Sequence, residues 1–313
     1  MCLLVPWMTK KVVGLKMDVL HLDESVRAHV VAITGSPVTK VPMMGVGGPG
    51  ILKFQGPQGE VVLKYTNAPE AVFYKNCAPI VRGKGLGIPD VYAQGDVEGK
   101  PWVLMEVIPT IIGPPYIPWL SNQIEYLARL HSLGQESPDM LGTLPTRLVA
   151  WTPQDVDDAV SLWEGDDAAA LVDFLHMPWP PLTGKPVLIS GDPNPTNWGK
   201  RVTGQLVLFD WAEASWSHPA YDLAVLCGGF PDEGTVKVVV ERYLERTTIP
   251  ASGHVDQWVS WVLTAKLVSF VWFAAWWRRG RLTKAATAGI NALQKGLVPW
   301  IRAIRPAMSS MGL

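Results

Sequence analysis

Between Ser190 and Asp222 the chain carries a series of hard oxygen donors at spacings that chemistry can use. An apolar run, Val187-Leu188-Ile189, predicts a short buried strand that ends in a loop bearing Asp192, Asn194 and Asn197 among prolines. From Asn197 to Val202, and again from Gln205 to Phe209, the pattern is that of a hairpin turning at Thr203-Gly204. A two-residue turn pairs Val202 with Gln205 and so sets Asn197 opposite Asp210. Facing residues of a strand pair have Cβ atoms about 4.5–5.5 Å apart, so an amide oxygen and a carboxylate would converge. Two such ligands, with the Asp192 carboxylate on the same loop, suit Mg²⁺ held against a phosphate. Any one of these acids alone reads as a turn residue, because Asp and Asn bond their own backbone. Only the combination points to chemistry.

The same stretch resembles the catalytic core of the aminoglycoside phosphotransferase and choline kinase family, relatives of the protein kinases. That family reads His-Gly-Asp-x-x-x-x-Asn, then an Asp after a strand. Here the residues are Ser190-Gly191-Asp192, Asn197, and Leu208-Phe209-Asp210. The resemblance implies that Asp192 is the catalytic base and that Asn197 and Asp210 hold the metal. His218-Pro219-Ala220-Tyr221-Asp222-Leu223-Ala224 matches the family's Asp-Pro-Ala-x-Asp-Leu-Ala, whose second acid buttresses the catalytic loop. Ser190 stands where the family has His, and His218 where it has Asp.

The elements that must position these groups lie upstream. Residues 23–31 predict a short helix capped by Asp23 or Ser25, with a strand beginning at Val30–Ile33. Gly45-Val46-Gly47-Gly48-Pro49-Gly50 would let backbone N–H groups approach phosphates, but it lacks the Lys-Ser/Thr of a Walker A loop. Ile51–Gln55 and Glu60–Tyr65 read as a hairpin around Gly56–Gly59, with Lys64 in its second strand. The resemblance assigns Lys64 to the α- and β-phosphates and Gly47 and Gly48 to the phosphate cover. Asn67 and Glu70 have the spacing of a capping box. The family reading instead pairs Glu70 with Lys64, and Pro69 in the turn favours that pairing.

Pro89–Tyr92 and Trp102–Val107 predict two more strands joined by a polar turn over 94–100. By resemblance the second runs into a hinge at which main-chain groups of Glu106 and Ile108 hold adenine. Gly113-Pro114-Pro115 marks the lobe boundary. Leu120, Ile124, Leu127 and Leu130 then recur at helical spacing, with Gly134 as the stop and His131 as a packing residue. The acids of 155–173 read as a solvated helix face; with Glu213 they would alternatively suit a cationic acceptor.

Composition bounds what remains. The 313 residues suit two lobes, 1–108 and 109–313, and a mean hydropathy of +0.15 allows a large interior. A net charge of −1 gives no electrostatic footprint for nucleic acid. Cys2, Cys77 and Cys227 are too few and too scattered for a disulfide framework, and a reducing cytoplasm is expected. Trp258–Trp277 is long and apolar enough to span a membrane, but Lys266 near its centre makes a buried helix the expectation. The fold expected is α+β and bilobal, with a small antiparallel sheet lobe and a larger helical lobe. ATP and Mg²⁺ are the expected cofactors and a small-molecule hydroxyl the expected acceptor. Ser190 and His218 motivate one alternative, a pseudokinase that binds nucleotide or acts as a scaffold.

Overall fold

In a computed structural model the chain is described over residues 22–41, 50–112, 121–136, 143–177, 179, 181–182, 184–249, 253–282 and 286–309. These form two compact units: 22–112 with 196–214, and 121–195 with 215–309. Residues 196–214, left by the sequence in the larger lobe, pack with the smaller one. Gly47, Gly48 and Gly113–Pro115 lie outside the described residues.

The smaller unit begins with α1 (Glu24–Thr34), where the Asp23 carboxylate takes the Ser25 N–H at 2.9 Å. The strand expected at Val30–Ile33 is therefore the second half of a helix. Val26, Val30 and Thr34 are buried four residues apart while Val31 is exposed, which is helical and not strand periodicity. Five strands follow: β1 (Thr39–Val41), β2 (Ile51–Gly56), β3 (Gly59–Tyr65), β4 (Val91–Val97) and β5 (Lys100–Met105). They form one antiparallel sheet in the order β1-β2-β3-β5-β4. The β4–β5 turn is tighter than the sequence implied, because Glu98 and Gly99, at φ 53° and 75°, make the two-residue connection. Val26 and Val30 join Phe54, Val61, Leu63, Trp102 and Leu104 in a core between α1 and the sheet.

After β3 the chain enters α2 (Ala68–Val72), passes through a π-helical turn (Phe73–Cys77) and continues as α3 (Ala78–Gly83). A second small sheet joins β6 (Thr110–Ile111), and it is completed by strands from the far end of the sequence described below.

In the larger unit, α4 (Ser121–Glu136) runs past Gly134, the expected stop. It packs on β7 (Val187–Ile189), which pairs antiparallel with β10 (Ser215–Ser217). Between these two strands the chain makes β8 (Trp198–Lys200) and β9 (Leu206–Leu208), the partners of β6 in the smaller unit. Two helices, α5 (Pro153–Val160) and α6 (Gly165–Leu175), precede β7, and α7 (Ala220–Leu226) and α8 (Glu233–Leu244) follow β10. All of α5, α7 and α8 pack on α9 (Val255–Arg278), as does the last helix, α10 (Thr287–Ser309).

Helix α9 is long and apolar enough to cross a membrane, yet it is buried without interruption from Trp258 to Ala275. Its apolar surface is thus covered by the helices around it. The acids of 155–173 have structural partners as well. Asp155 closes a capping box with Thr152, and Arg279 takes Asp155 at 2.9 Å and Asp158 at 2.5 Å. Arg302 lies 3.6 Å from Asp167. Ion pairs and caps explain much of that acidic run without a ligand.

Candidate active site

Strand β3 is central in its sheet, and Lys64 near its end is only 13% exposed. Its ammonium bridges two carboxylates, Glu70 at 2.7 Å and Asp210 at 2.6 Å. Burial opposes this charge, but Asp210 and Glu70 outweigh it and hold the ammonium well above the ordinary lysine range. Glu70 is fully buried at the start of α2. Its backbone N–H goes to the Asn67 side chain at 2.9 Å, so the cap expected from the spacing is present. Its carboxylate does not close the box. It accepts instead from Lys64, from the Thr66 hydroxyl, and from the Trp211 N–H at 3.1 Å. Asn67 thus caps the helix, while the Glu70 side chain pairs with Lys64 and not with the Asn67 backbone.

Asp210 reaches this cluster by a route different from the one expected. The β8–β9 register pairs Trp198 with Leu208 and Lys200 with Leu206. The connection is a three-residue loop, Val202-Thr203-Gly204, closed by an Arg201–Gln205 backbone bond of 3.0 Å. Gly204 at φ +85° supplies the left-handed residue that such loops require. Asn197 consequently faces Phe209, whose N–H it accepts at 3.0 Å, and not Asp210. The one-residue shift removes the cross-strand pairing of Asn197 with Asp210. Asp210 instead adopts φ +65°, a conformation uncommon outside glycine, which turns it out of the strand line at Lys64. The segment is fixed nearby by Trp211 stacked on Phe73, with centroids 3.9 Å apart, and by Asn67 donating to the Ala212 carbonyl at 2.8 Å.

At the expected hinge, Glu106 uses its N–H on the Asp90 carbonyl at 2.8 Å. Its carboxylate, held below its usual range despite burial, binds Arg201 through two bonds of 2.6 and 2.8 Å. Arg201 also reaches the Ile88 carbonyl at 3.0 Å, tying the hairpin to the segment before β4. This clamp is not visible in the sequence, where Arg201 is an ordinary strand-end residue.

In the larger unit, Asp192 follows β7 and is 6% exposed. Its N–H goes to Ser190 Oγ at 3.2 Å, and its Oδ1 accepts the Asn194 amide at 2.8 Å. Gly191 at φ +78° makes the sharp turn between the strand and Asp192. Asp222, fully buried on α7, receives the Ser190 N–H at 2.9 Å and the Gly191 N–H at 2.8 Å. Behind it, His131 lies 3.1 Å from Asp222 and 3.0 Å from the Tyr243 hydroxyl. A carboxylate can only accept here, so His131 donates from Nε2. His131 is thus a buried relay, a stronger role than the packing residue expected. Its position after Ala128-Arg129-Leu130 was the available signal. His218, where the family has Asp, accepts the Ala220 N–H at 3.2 Å and packs on Trp261 at 4.9 Å. The imidazole therefore supplies the helix-start acceptor that an Asp would.

The model of the phosphotransferase enzyme family matches residues 53–252, well over half of the chain. The chain belongs to that family. As a member of the phosphotransferase family it is a small-molecule phosphotransferase acting on hydroxyl groups. No curated protein matches it in sequence. Among solved structures it is similar to a microcompartment-associated aminopropanol kinase, at 13% identity and a TM-score of 0.58 over 91% of this chain and 98% of that one. It is likewise similar to spectinomycin phosphotransferase in complex with ADP and spectinomycin, at 12% identity and a TM-score of 0.56 over 90% and 98%. Choline kinase from Streptococcus pneumoniae gives 15%, 0.54, and 89% and 98%. At these identities the likeness establishes the protein-kinase-like α+β fold, which agrees with the sequence expectation.

Proposed function

We propose that this phosphotransferase moves the γ-phosphate of ATP to a hydroxyl of a small molecule, with Asp192 as the base. The observation that carries the reading is the Lys64 ammonium bridging Glu70 and Asp210. One ammonium against two carboxylates leaves the cluster with a net negative charge, suited to a cation that accompanies phosphates. Asp210 and Asn197 are the oxygen donors that would hold Mg²⁺, which when bound would neutralise charge on the transferring group. Among the described residues no three His, Cys, Asp or Glu side chains converge on one point. A site of two hard protein donors, completed by phosphate oxygens and water, is the usual way that Mg²⁺ is held.

Within this reading the chain's own groups divide the work. Lys64, fixed by Glu70, presents its ammonium to the α- and β-phosphates. The Glu106 carbonyl and Ile108 N–H meet the adenine edge, since the Glu106 N–H is already taken. Asp192 accepts the acceptor's proton, its carboxylate aimed by Asn194 and its backbone fixed through Ser190 and Asp222. Support for an active enzyme over a pseudokinase comes from Ser190 and His218, each of which makes a positioning hydrogen bond in its place. The test is ADP release with aminoglycosides, macrolides, choline-like amino alcohols and simple sugars as acceptors. Acceptor-dependent ADP release is expected with at least one class. Nucleotide binding without release under any acceptor favours the pseudokinase.

A further inference from the structure

The Arg201–Glu106 clamp has no part in the proposed chemistry, yet it joins two sets of groups that the nucleotide would touch. The β8–β9 hairpin carries the proposed metal donors at its open end, Asn197 just before β8 and Asp210 two residues after β9. Arg201 lies at its closed end, with all three guanidinium nitrogens engaged. Nε and Nη2 take the two oxygens of Glu106 at 2.8 and 2.6 Å, the fork geometry that makes such pairs strong. Nη2 also donates to the Ile88 carbonyl at 3.0 Å, and Nη1 to Gln205 Oε1 at 2.5 Å. The pair is largely shielded from solvent, its side chains being 19% and 17% exposed. Glu106 Oε2 accepts the Asp90 N–H as well, at 3.1 Å.

Between Glu106 and β6 the chain runs through Val107-Ile108-Pro109, outside any helix or strand. Backbone bonds hold its far end: Thr110 and Ile111 pair with Lys200 and Gly199, and the Ile112 N–H reaches the Trp198 carbonyl at 2.8 Å. Its middle rests on Gly199, where a Cβ would come within 2.4 Å of Ile108 Cγ2, so the missing side chain is what leaves room for Ile108. Its start is tied to the hairpin through Arg201. That residue thus sets how far the first adenine contact lies from Asn197 and Asp210. We propose that Arg201 is a positioning residue for the nucleotide, fixing the span between the adenine contacts of 106–108 and the metal donors so that one Mg²⁺-ATP satisfies both ends at once. The inference rests on Glu106 and Ile108 meeting adenine. Two contacts held at a fixed span act on one ligand at high effective concentration, and a slack connection forfeits that gain.

Calorimetry tests this by comparing Mg²⁺-ATP with Mg²⁺-tripolyphosphate, which has the phosphates and no adenosine. The proteins are the parent, Arg201→Met, Arg201→Lys, Glu106→Gln and the double variant Arg201→Met with Glu106→Gln. Arg201→Met should weaken Mg²⁺-ATP by about tenfold or more and leave Mg²⁺-tripolyphosphate within about twofold of the parent. Arg201→Lys should lose nearly as much, since an ammonium does not reproduce the two-pronged fork. Glu106→Gln keeps the main-chain groups for adenine and should show the same selective loss, with the double variant within about twofold of the weaker single. Equal losses for the two ligands would mark a merely structural bond and overturn the inference, and so would parent-like Mg²⁺-ATP binding in Arg201→Met. Where Arg201→Met does not fold, the nearly isosteric Glu106→Gln decides on the same two outcomes. If the parent binds Mg²⁺-ATP no more tightly than Mg²⁺-tripolyphosphate, the adenine contacts of 106–108 fall first. If it binds neither, the nucleotide reading falls and takes the inference with it.

Discussion

Asp222→Asn is a nearly isosteric change whose effect can be worked out bond by bond. The parent carboxylate offers Oδ1 to the Gly191 N–H at 2.8 Å, and Oδ2 to Ser190 at 2.9 Å and His131 at 3.1 Å. An amide has a single oxygen, so whichever way it turns, one buried donor set meets an NH₂ group. Leaving a buried donor unsatisfied costs about 1–3 kcal/mol, and the retained bond loses its charge assistance, about 1 kcal/mol more. The site is fully buried, so water does not compensate. A destabilisation of about 3 kcal/mol follows. With a urea slope near 3 kcal/mol per molar, the unfolding midpoint should drop by about 1 M with the slope unchanged. Turnover should fall by about a hundredfold even where the variant is fully folded, because the bonds that are lost fix the backbone just before Asp192. Circular dichroism in urea and steady-state ADP release measure the two effects. A midpoint within about 0.2 M of the parent, together with unchanged turnover, would refute the buttress.

Three further outcomes follow from the same geometry. Asp192→Asn should cut turnover by about two to four orders of magnitude while Mg²⁺-ATP affinity stays near the parent value, whereas Asp210→Asn should weaken Mg²⁺-dependent nucleotide binding too, as read by calorimetry. Lys64→Met leaves the buried Glu70 carboxylate without its cation and should destabilise the smaller unit by about 3–5 kcal/mol, measured by thermal unfolding. Lys266, lowered from 10.5 to about 8, binds fewer protons in the folded state than in the unfolded one between those values. Parent stability relative to Lys266→Met should therefore rise with pH across that window, by about 3 kcal/mol in all, and a flat difference curve would contradict the burial argument.

The sequence carried the fold wherever period and punctuation agreed. The β2–β3 hairpin was legible from alternating apolar residues around Gly56 and Gly59, and the loop after β7 from the prolines that follow its apolar run. Val30–Ile33 misled because β-branched residues favour strands locally, while burial at Val26 and Val30 is decided by the packing of α1 on the sheet. The 198–208 register failed by one residue because the three-residue loop with Gly204 in the left-handed region competes with the two-residue turn, and Thr203-Gly204 fits both. Neither Arg201 on Glu106 nor His131 on Asp222 could be read out, since each joins residues far apart in sequence. The Lys64–Glu70 pair could be posed as a choice only, and the fold keeps the Asn67 cap but gives the Glu70 carboxylate to Lys64.

Uninterrupted burial from Trp258 to Ala275 also bears on how the chain comes off the ribosome. Helix α9 leaves the exit tunnel before α10, the last of the helices packed on it. For the time needed to translate the final helix, part of a largely apolar surface is bare, on a helix long and apolar enough to cross a membrane. Lys266 is the main mark against such mistargeting, since a lysine at the centre of a span adds about 2.5–3.5 kcal/mol to insertion. The same side chain thus weighs against insertion before there is any fold around it.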